Sequence, residues 1–324
     1  MKSLTRHHLS PGQWHLKQCG IKNIDDYAVF ELPFPYCADF EHQVTQALIE
    51  NKPIVILCSE LHDSTVEFIR KYQNPQITYF TCGIIRGVKS QLWMDWFATT
   101  TDIYKSNKLL DQLEPFQPKN KMFDILLGQR RSHRDFVYNF VHTNQLTEHV
   151  IMSYIKDHTR PLAQQGFITD VDIDQIKHTV ESVNYQGRNI SLSQIIPFDI
   201  YNETAYSVVT ETNASNDYNF YTEKIVKPIL ARRLFLVFAG KHYLKNLRSM
   251  GFCTFEGILD ERYDDVEDSV ARHNLVCEQM YRLIQMPQQE VLNSIQPILE
   301  HNQRVMLETD WLGNFHQALS LEFV

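Results

Sequence analysis

The chain has 324 residues, 43% of them hydrophobic and 12% aromatic, and its 31 Lys and Arg face 39 Asp and Glu for a formal net charge of −8. That length is room for about two domains of roughly 100–200 residues each. The acidic balance gives no global attraction to nucleic acid. The longest apolar run is far short of the roughly 20 residues of a membrane-spanning helix. The opening residues, MKSLTRHHLSPGQWH, lack the apolar core of a signal peptide. Cys19, Cys37, Cys58, Cys82, Cys253 and Cys277 form no CxxC pair, which argues against a disulfide framework or a zinc site. A soluble, cytoplasmic protein is expected.

Pro33 and Pro35 break the aromatic segment ELPFPYCADF, so a loop or sheet edge is expected there. Residues 39–51 place Phe40, Val44, Ala47 and Leu48 at helical spacing. IVILC, residues 54–58, reads as a buried parallel strand, residues 59–72 as the following helix, and 76–81 as the next strand. Residues 114–121, EPFQPKNK, form the linker candidate. The pattern then restarts. Residues 122–127 form a strand, Gly128 turns the chain, Ser132 is placed to cap a helix to about Val141, and 149–154 form another strand. No element is assigned to 155–196 beyond breaks at Gly166 and Gly187. A β-branched run through Thr210 then meets a polar loop, 211–219. A segment opening at Thr222-Glu223-Lys224 follows, with Pro228 arguing that regular helix starts near residue 228. Residues 234–238 read as a strand, the stretch after Gly240 as a helix, 254–255 as a short strand, and 260–286, 288–307 and 311–319 as three helices. Strand, polar loop, helix, strand, helix is the grammar of an α/β ligand-binding domain. The expectation is two Rossmann-like lobes, residues 1–118 and 119–324, with a cleft between them and C-terminal helices.

The sequence holds no GxGxxG, P-loop, HExxH, GxSxG or EF-hand loop, which removes the main support for hydride-transfer, NTPase, zinc-protease and lipase chemistry. Two constellations remain. GQRRSHR, from Gly128 to Arg134, sets Arg130, Arg131 and Arg134 near a helix start, and guanidinium groups grip phosphate oxygens bidentately. The alternative is a solvated basic turn. Thr222-Glu223-Lys224 sets a cation where the helix dipole opposes it unless an anion is present. The alternative is an ordinary helix capped by Thr222.

TETNASNDYNFYTEK resembles the donor-binding signature of the α1,3-fucosyltransferase-like glycosyltransferases, roughly F-E-N-S, a spacer, then D-Y-V-T-E-K. Asp217-Tyr218 and Thr222-Glu223-Lys224 are retained. Thr-Asn replaces the usual Asn-Ser, and extra residues separate the Tyr from the Thr. Arg134, in RDFVYNF, looks like the family's phosphate-binding arginine. The continuation from Lys227 through DERYDDVED is similar to fucosyltransferase-like proteins of phage genomes, and the resemblance covers about residues 122–275.

The resemblance implies a GT-B fold and an inverting transfer of a sugar from a GDP- or UDP-sugar to an acceptor hydroxyl, on a glycan or a hydroxymethylated DNA base. For a phage-encoded protein the place would be the host cytoplasm. Lys224 and Arg134 would bind the diphosphate and Glu223 the ribose, with Arg131, Glu211, Asn213 and Tyr218 completing the donor site. Fixed cations that stabilise the leaving diphosphate can replace a metal, so no obligatory divalent ion is expected. The family's base is a carboxylate of the first lobe. Glu60, after the IVILC strand, is the candidate, with His62 and Asp63 as rivals. Lys227, Arg232, Arg233, Lys241, Lys245 and Arg248 form a basic run that faces either DNA phosphates or solvent. The rival classes are a binding protein without turnover, and a phosphatase or nuclease using the DERYDDVED carboxylates on a metal.

Overall fold

The computed structural model describes residues 27–32, 38–114, 117–128, 130–154, 182–185, 188–191 and 194–322. The chain divides into two compact units. The first comprises Met1–Ala98, Asp217–Tyr221 and Asp310–Val324, and the second Thr99–Asn216 and Thr222–Thr309. Pro33, Pro35 and most of 155–196 lie outside the described residues.

The first unit is built on strands β1 (Ala28–Glu31), β2 (Ile54–Cys58), β3 (Ile77–Thr81) and β5 (Gln91–Leu92), paired parallel in that order. Helices α1 (Ala38–Ile49) and α2 (Asp63–Lys71) are the crossovers. All five residues of β2 are buried, which is why the strand reads as an unbroken apolar run. Ile54, Ile56 and Cys58 join the core that includes Phe40, Val44, Phe68 and Ile69. Val55 and Leu57 join Phe80, Trp93, Phe315 and Leu319. Phe315 and Leu319 come from α10 (Trp311–Leu321), so the end of the described chain supplies part of this unit's core.

Strand β4 (Gly83–Ile85) pairs antiparallel with β11 (Tyr218–Phe220). The polar loop expected over 211–219 therefore ends in a strand. Local spacing does not mark a three-residue strand whose partner lies over 130 positions away. Gly83 allows the approach, because a Cβ there would lie 2.0 Å from the Asn219 carbonyl oxygen. Helix α3 (Asp95–Asn107) begins in the first unit and continues into the second.

In the second unit β6 (Lys121–Leu127), β7 (Val150–Tyr154), β10 (Thr204–Thr210) and β12 (Phe235–Phe238) form a parallel sheet in the order β12-β10-β6-β7. Helix α4 (Ser132–Thr143) connects β6 to β7, and α6 (Glu223–Leu230) connects β10 to β12. From β6 the chain steps outward to β7, then returns to β6's other side for β10. The right-handed crossover rule places α4 and α6 on opposite faces of such a sheet, with a crevice beyond the carboxyl ends of β6 and β10. The antiparallel hairpin β8 (Ser182–Tyr185) and β9 (Arg188–Ser191), and the short helix α5 (Phe198–Glu203), precede β10. Helices α7 (Tyr243–Ser249), α8 (Ser269–Gln285) and α9 (Gln288–Glu308) follow β12. The fold is mixed α/β with parallel sheets, as expected, and no described helix is long and apolar enough to cross a membrane.

Four local expectations need correction. Ser132 is the first residue of α4, not its cap, because Arg131 holds the extended N-cap conformation without a side-chain cap bond. Regular helix starts at Glu223, not near Pro228, because Thr222 caps it and outweighs the one hydrogen bond the proline removes. Residues 254–255 form no strand. Residues 260–286 divide into a 3-10 turn, Glu261–Asp265, and α8, which Asp268 caps through the Ala271 N–H.

Candidate functional site

The crevice is built from two strand ends and two helix starts. Past β6 come Gly128, Arg130 and Arg131, then the amino end of α4, which has no side-chain cap. Its first N–H groups are the orphan donors that attract anions. Past β10 come Glu211 to Asn213, and Thr222 opens α6 alongside.

Glu211 is fully buried and joins these parts. It accepts from the Tyr243 hydroxyl (2.7 Å), the Thr222 hydroxyl (2.8 Å), the Thr212 N–H (3.2 Å) and the Thr222 N–H (3.5 Å). In this geometry Glu211 positions the loop. Burial pushes its carboxyl up, opposed by Lys224 and by the Tyr243 bond.

Lys224 Nζ donates to Glu223 (2.8 Å), Thr212 (3.1 Å) and Thr222 (3.3 Å). Burial works to raise the Glu223 carboxyl, but Lys224 and Lys227 outweigh it and hold the carboxyl below its ordinary value. Lys227, one turn on, is lowered to about 8 by burial.

Arg134 is buried and donates to the Thr210 and Glu211 carbonyls at 3.4 and 3.3 Å, long for charged hydrogen bonds. Burial, with Arg131 adding repulsion, lowers Arg134 to about 10. Nε of Arg131 is buried without a hydrogen-bond partner. Arg131, Arg134, Lys224 and Lys227 thus share this end of the sheet with two carboxylates, Glu211 and Glu223, among the described residues. Arg134 is buried and Arg131, Lys224 and Lys227 are half-buried, an arrangement of like charges that an anion would stabilise.

Two members went unassigned from sequence. His133 is buried with Nε2 against the Glu211 carbonyl (2.9 Å), and burial followed by Arg134's charge lowers it to about 3. Tyr243 closes the Glu211 bracket from 32 positions downstream. No spacing signal marks either residue.

The remaining candidates lie elsewhere. Arg130 turns outward to pair with Asp135 (3.0 Å). Asn213 accepts from the Ser215 N–H (3.0 Å) within its own loop. Tyr218 belongs to the first unit, on β11, and donates to Asp63 (2.9 Å). Glu60 stands just past the carboxyl end of β2, with His62 Nε2 at 3.0 Å from its Oε2.

The basic run is not a uniform cationic face. Arg233 is buried on Asp124 (2.8 Å), Lys241 pairs with Glu267 (2.9 Å) and Arg248 with Glu261 (2.9 Å). The DERYDDVED carboxylates serve backbone N–H groups and the side chains of Lys241, His242, Arg248 and Arg262. Glu261 accepts from Phe255, Asp264 from Leu244 and Lys245, and Asp268 from Ala271. Among the described residues no group of three or more His, Cys, Asp or Glu is arranged to hold a metal ion.

The chain matches no protein-family model, and no curated protein matches it.

Proposed function

We propose that the crevice beyond β6 and β10 binds the diphosphate of a nucleotide-sugar, and that the protein is an inverting glycosyltransferase of the GT-B kind its donor signature resembles. The observation that carries this reading is the gathering of Arg131, Arg134, Lys224 and Lys227 at the point where the strand order reverses. Ligands of open α/β sheets bind at that point. The unmet Nε of Arg131 and the uncapped start of α4 are donors that phosphate oxygens would satisfy. When the glycosidic bond breaks, negative charge grows on the leaving diphosphate, and cations fixed by the Glu211 bracket stabilise it without reorganising. Glu223 would take the ribose hydroxyls. Glu60 of the first unit, oriented by His62, would remove the proton of the acceptor hydroxyl. The acceptor would be a glycan or a hydroxymethylated DNA base.

Calorimetry with GDP- and UDP-sugars tests the donor site. Arg131→Ala and Lys224→Met each should weaken binding by about 1.5–3 kcal/mol, the scale of a hydrogen bond to a charged group. Wild-type affinity in both variants would overturn the assignment. Glu60→Gln should abolish transfer while leaving donor affinity unchanged. Full turnover in that variant would remove Glu60 as the base.

A further inference from the structure

Arg272, in the first turn of α8, is 2% exposed, and its hydrogen bonds all end on main-chain carbonyls. Its Nε donates to Ala239 (3.1 Å), one terminal nitrogen to Val266 (2.7 Å) and Glu267 (3.4 Å), and the other to Ala214 (3.2 Å). No carboxylate pairs with it among the described residues, whereas Arg233, also buried, has Asp124 as its counter-ion. Burial lowers the Arg272 guanidinium from its ordinary value, opposed at longer range by Asp264, Asp268 and Glu267. A buried charge is normally paired. This one gathers backbone instead, which a planar fork of five N–H groups can do and a single ammonium cannot.

The gathered segments lie at the carboxyl end of the second unit's sheet. Ala239 follows β12, whose Phe238 is in register with Thr210, and Ala214 lies in the loop after β10. Asn216 adds two tethers to the same loop. Its Nδ2 donates to the Glu267 carbonyl, and its Oδ1 accepts from the Lys241 N–H (3.3 Å). Thr212 and Asn213 are therefore spanned between the Glu211 bracket and the Arg272 and Asn216 anchors. Thr212 joins this span to the cationic crevice, because its hydroxyl accepts from Lys224 Nζ (3.1 Å). With the far anchors gone, Thr212 is free to leave, and the ammonium is left to Glu223 and Thr222.

We propose that Arg272 is a positioning residue for ligand binding, fastening residues 212–216 so that Thr212 holds the Lys224 ammonium in place in the crevice. The inference rests on the diphosphate reading of that crevice, and Arg272 acts through the loop rather than by touching the ligand.

Calorimetry with inorganic pyrophosphate, and amide hydrogen exchange on the ligand-free protein, test it together. Arg272→Met should speed exchange of the Thr212 and Ser215 amides, which donate to the Glu211 and Asn213 side chains (3.2 and 3.0 Å). Its pyrophosphate affinity should fall about 10-fold, as it would if the loop kept its binding conformation about a tenth of the time. Arg272→Lys, which keeps the charge but not the fork, should lose affinity too. Asn216→Ala, at a half-buried position, should weaken binding in the same direction and carries the test if Arg272→Met does not fold. Asn302→Ala is the control. Asn302 is buried and bonds the N–H and the carbonyl of Cys253 (2.8 Å each), with no bond to the 211–216 loop. That variant should lower the urea midpoint and keep its pyrophosphate affinity. Wild-type affinity in Arg272→Met and Asn216→Ala, or an equal loss in Asn302→Ala, would overturn the positioning role and leave the diphosphate reading standing. Full affinity in Arg272→Lys would assign the effect to charge and overturn it as well. Failure of the wild-type protein to bind pyrophosphate would overturn the diphosphate reading, and the positioning role with it.

Discussion

Lys227 has its amine lowered to about 8 by burial, with the Glu223 charge opposing and Lys224 reinforcing the shift. A diphosphate in the crevice would favour its charged form, so binding above that pH must take up a proton. Affinity for GDP or UDP should therefore fall as pH rises through about 8, and Lys227→Met should flatten the profile. A wild-type profile flat from pH 7 to 9.5 would separate Lys227 from the ligand. His133 and His273 act on stability instead. Burial lowers them to about 3 and about 4, from 6.5. The unfolded chain therefore binds more protons between those values, and folding stability is full above about pH 6.5 and declines as the pH falls. His273 also keeps a buried Nε2 without a hydrogen-bond partner, beside Phe136 and Phe238. His273→Phe should raise the melting temperature more at pH 5 than at pH 7.5. An equal rise at both would mean that only packing changed.

Among the elements, α6 depends on the Glu211 bracket. Thr222 caps the helix through the Lys224 N–H and donates its hydroxyl to Glu211. Thr222→Val should cost about 1–3 kcal/mol in urea unfolding, combining a lost cap with a buried carboxylate short of a donor. A cost within about 0.5 kcal/mol, the range of an ordinary surface substitution, would show that the bracket holds without it. The strands of both parallel sheets were legible where burial on two faces makes them continuous apolar runs, as in IVILC, VIMSY and FLVF. The meeting of Arg134, Glu223 and Lys224 was legible for a related reason, since a strand-to-helix turn always delivers its residues to the same sheet edge. What could not be read depends on distant partners. Tyr218–Phe220 becomes a strand only because Gly83 lets β4 approach. Glu211 becomes a positioning group because Tyr243 reaches back to it. Arg233 leaves the basic run because Asp124 lies beneath it.

At the scale of the whole molecule, α10 is the last described element and a structural part of the first unit. Phe315 packs at 5.1 Å on Trp93 and 5.4 Å on Phe80, and Glu322 accepts from Thr78 (2.9 Å). Deleting residues 310–324 should strip one face of the β1-β2-β3-β5 sheet and leave the second unit's sheet intact. Hydrogen exchange should then rise in 54–58 and 77–81 and remain slow in 121–127 and 204–210. Exchange rising equally in both sheets would mean that the two units unfold as one.

The same feature sets a schedule for the protein's birth. Residues 28–98 leave the ribosome well before residues 310–322, so their sheet lacks one covering helix until those are made. At roughly 5–20 residues per second, that is a delay on the order of ten to forty seconds. Through that interval Val55, Leu57, Phe80 and Trp93 have no α10 to pack against, and the strands of the second unit's parallel sheet are all made before α10 appears. The unit whose sheet comes earlier in this chain is thus the later of the two to receive its last helix, and its apolar sheet face is the one left open during synthesis.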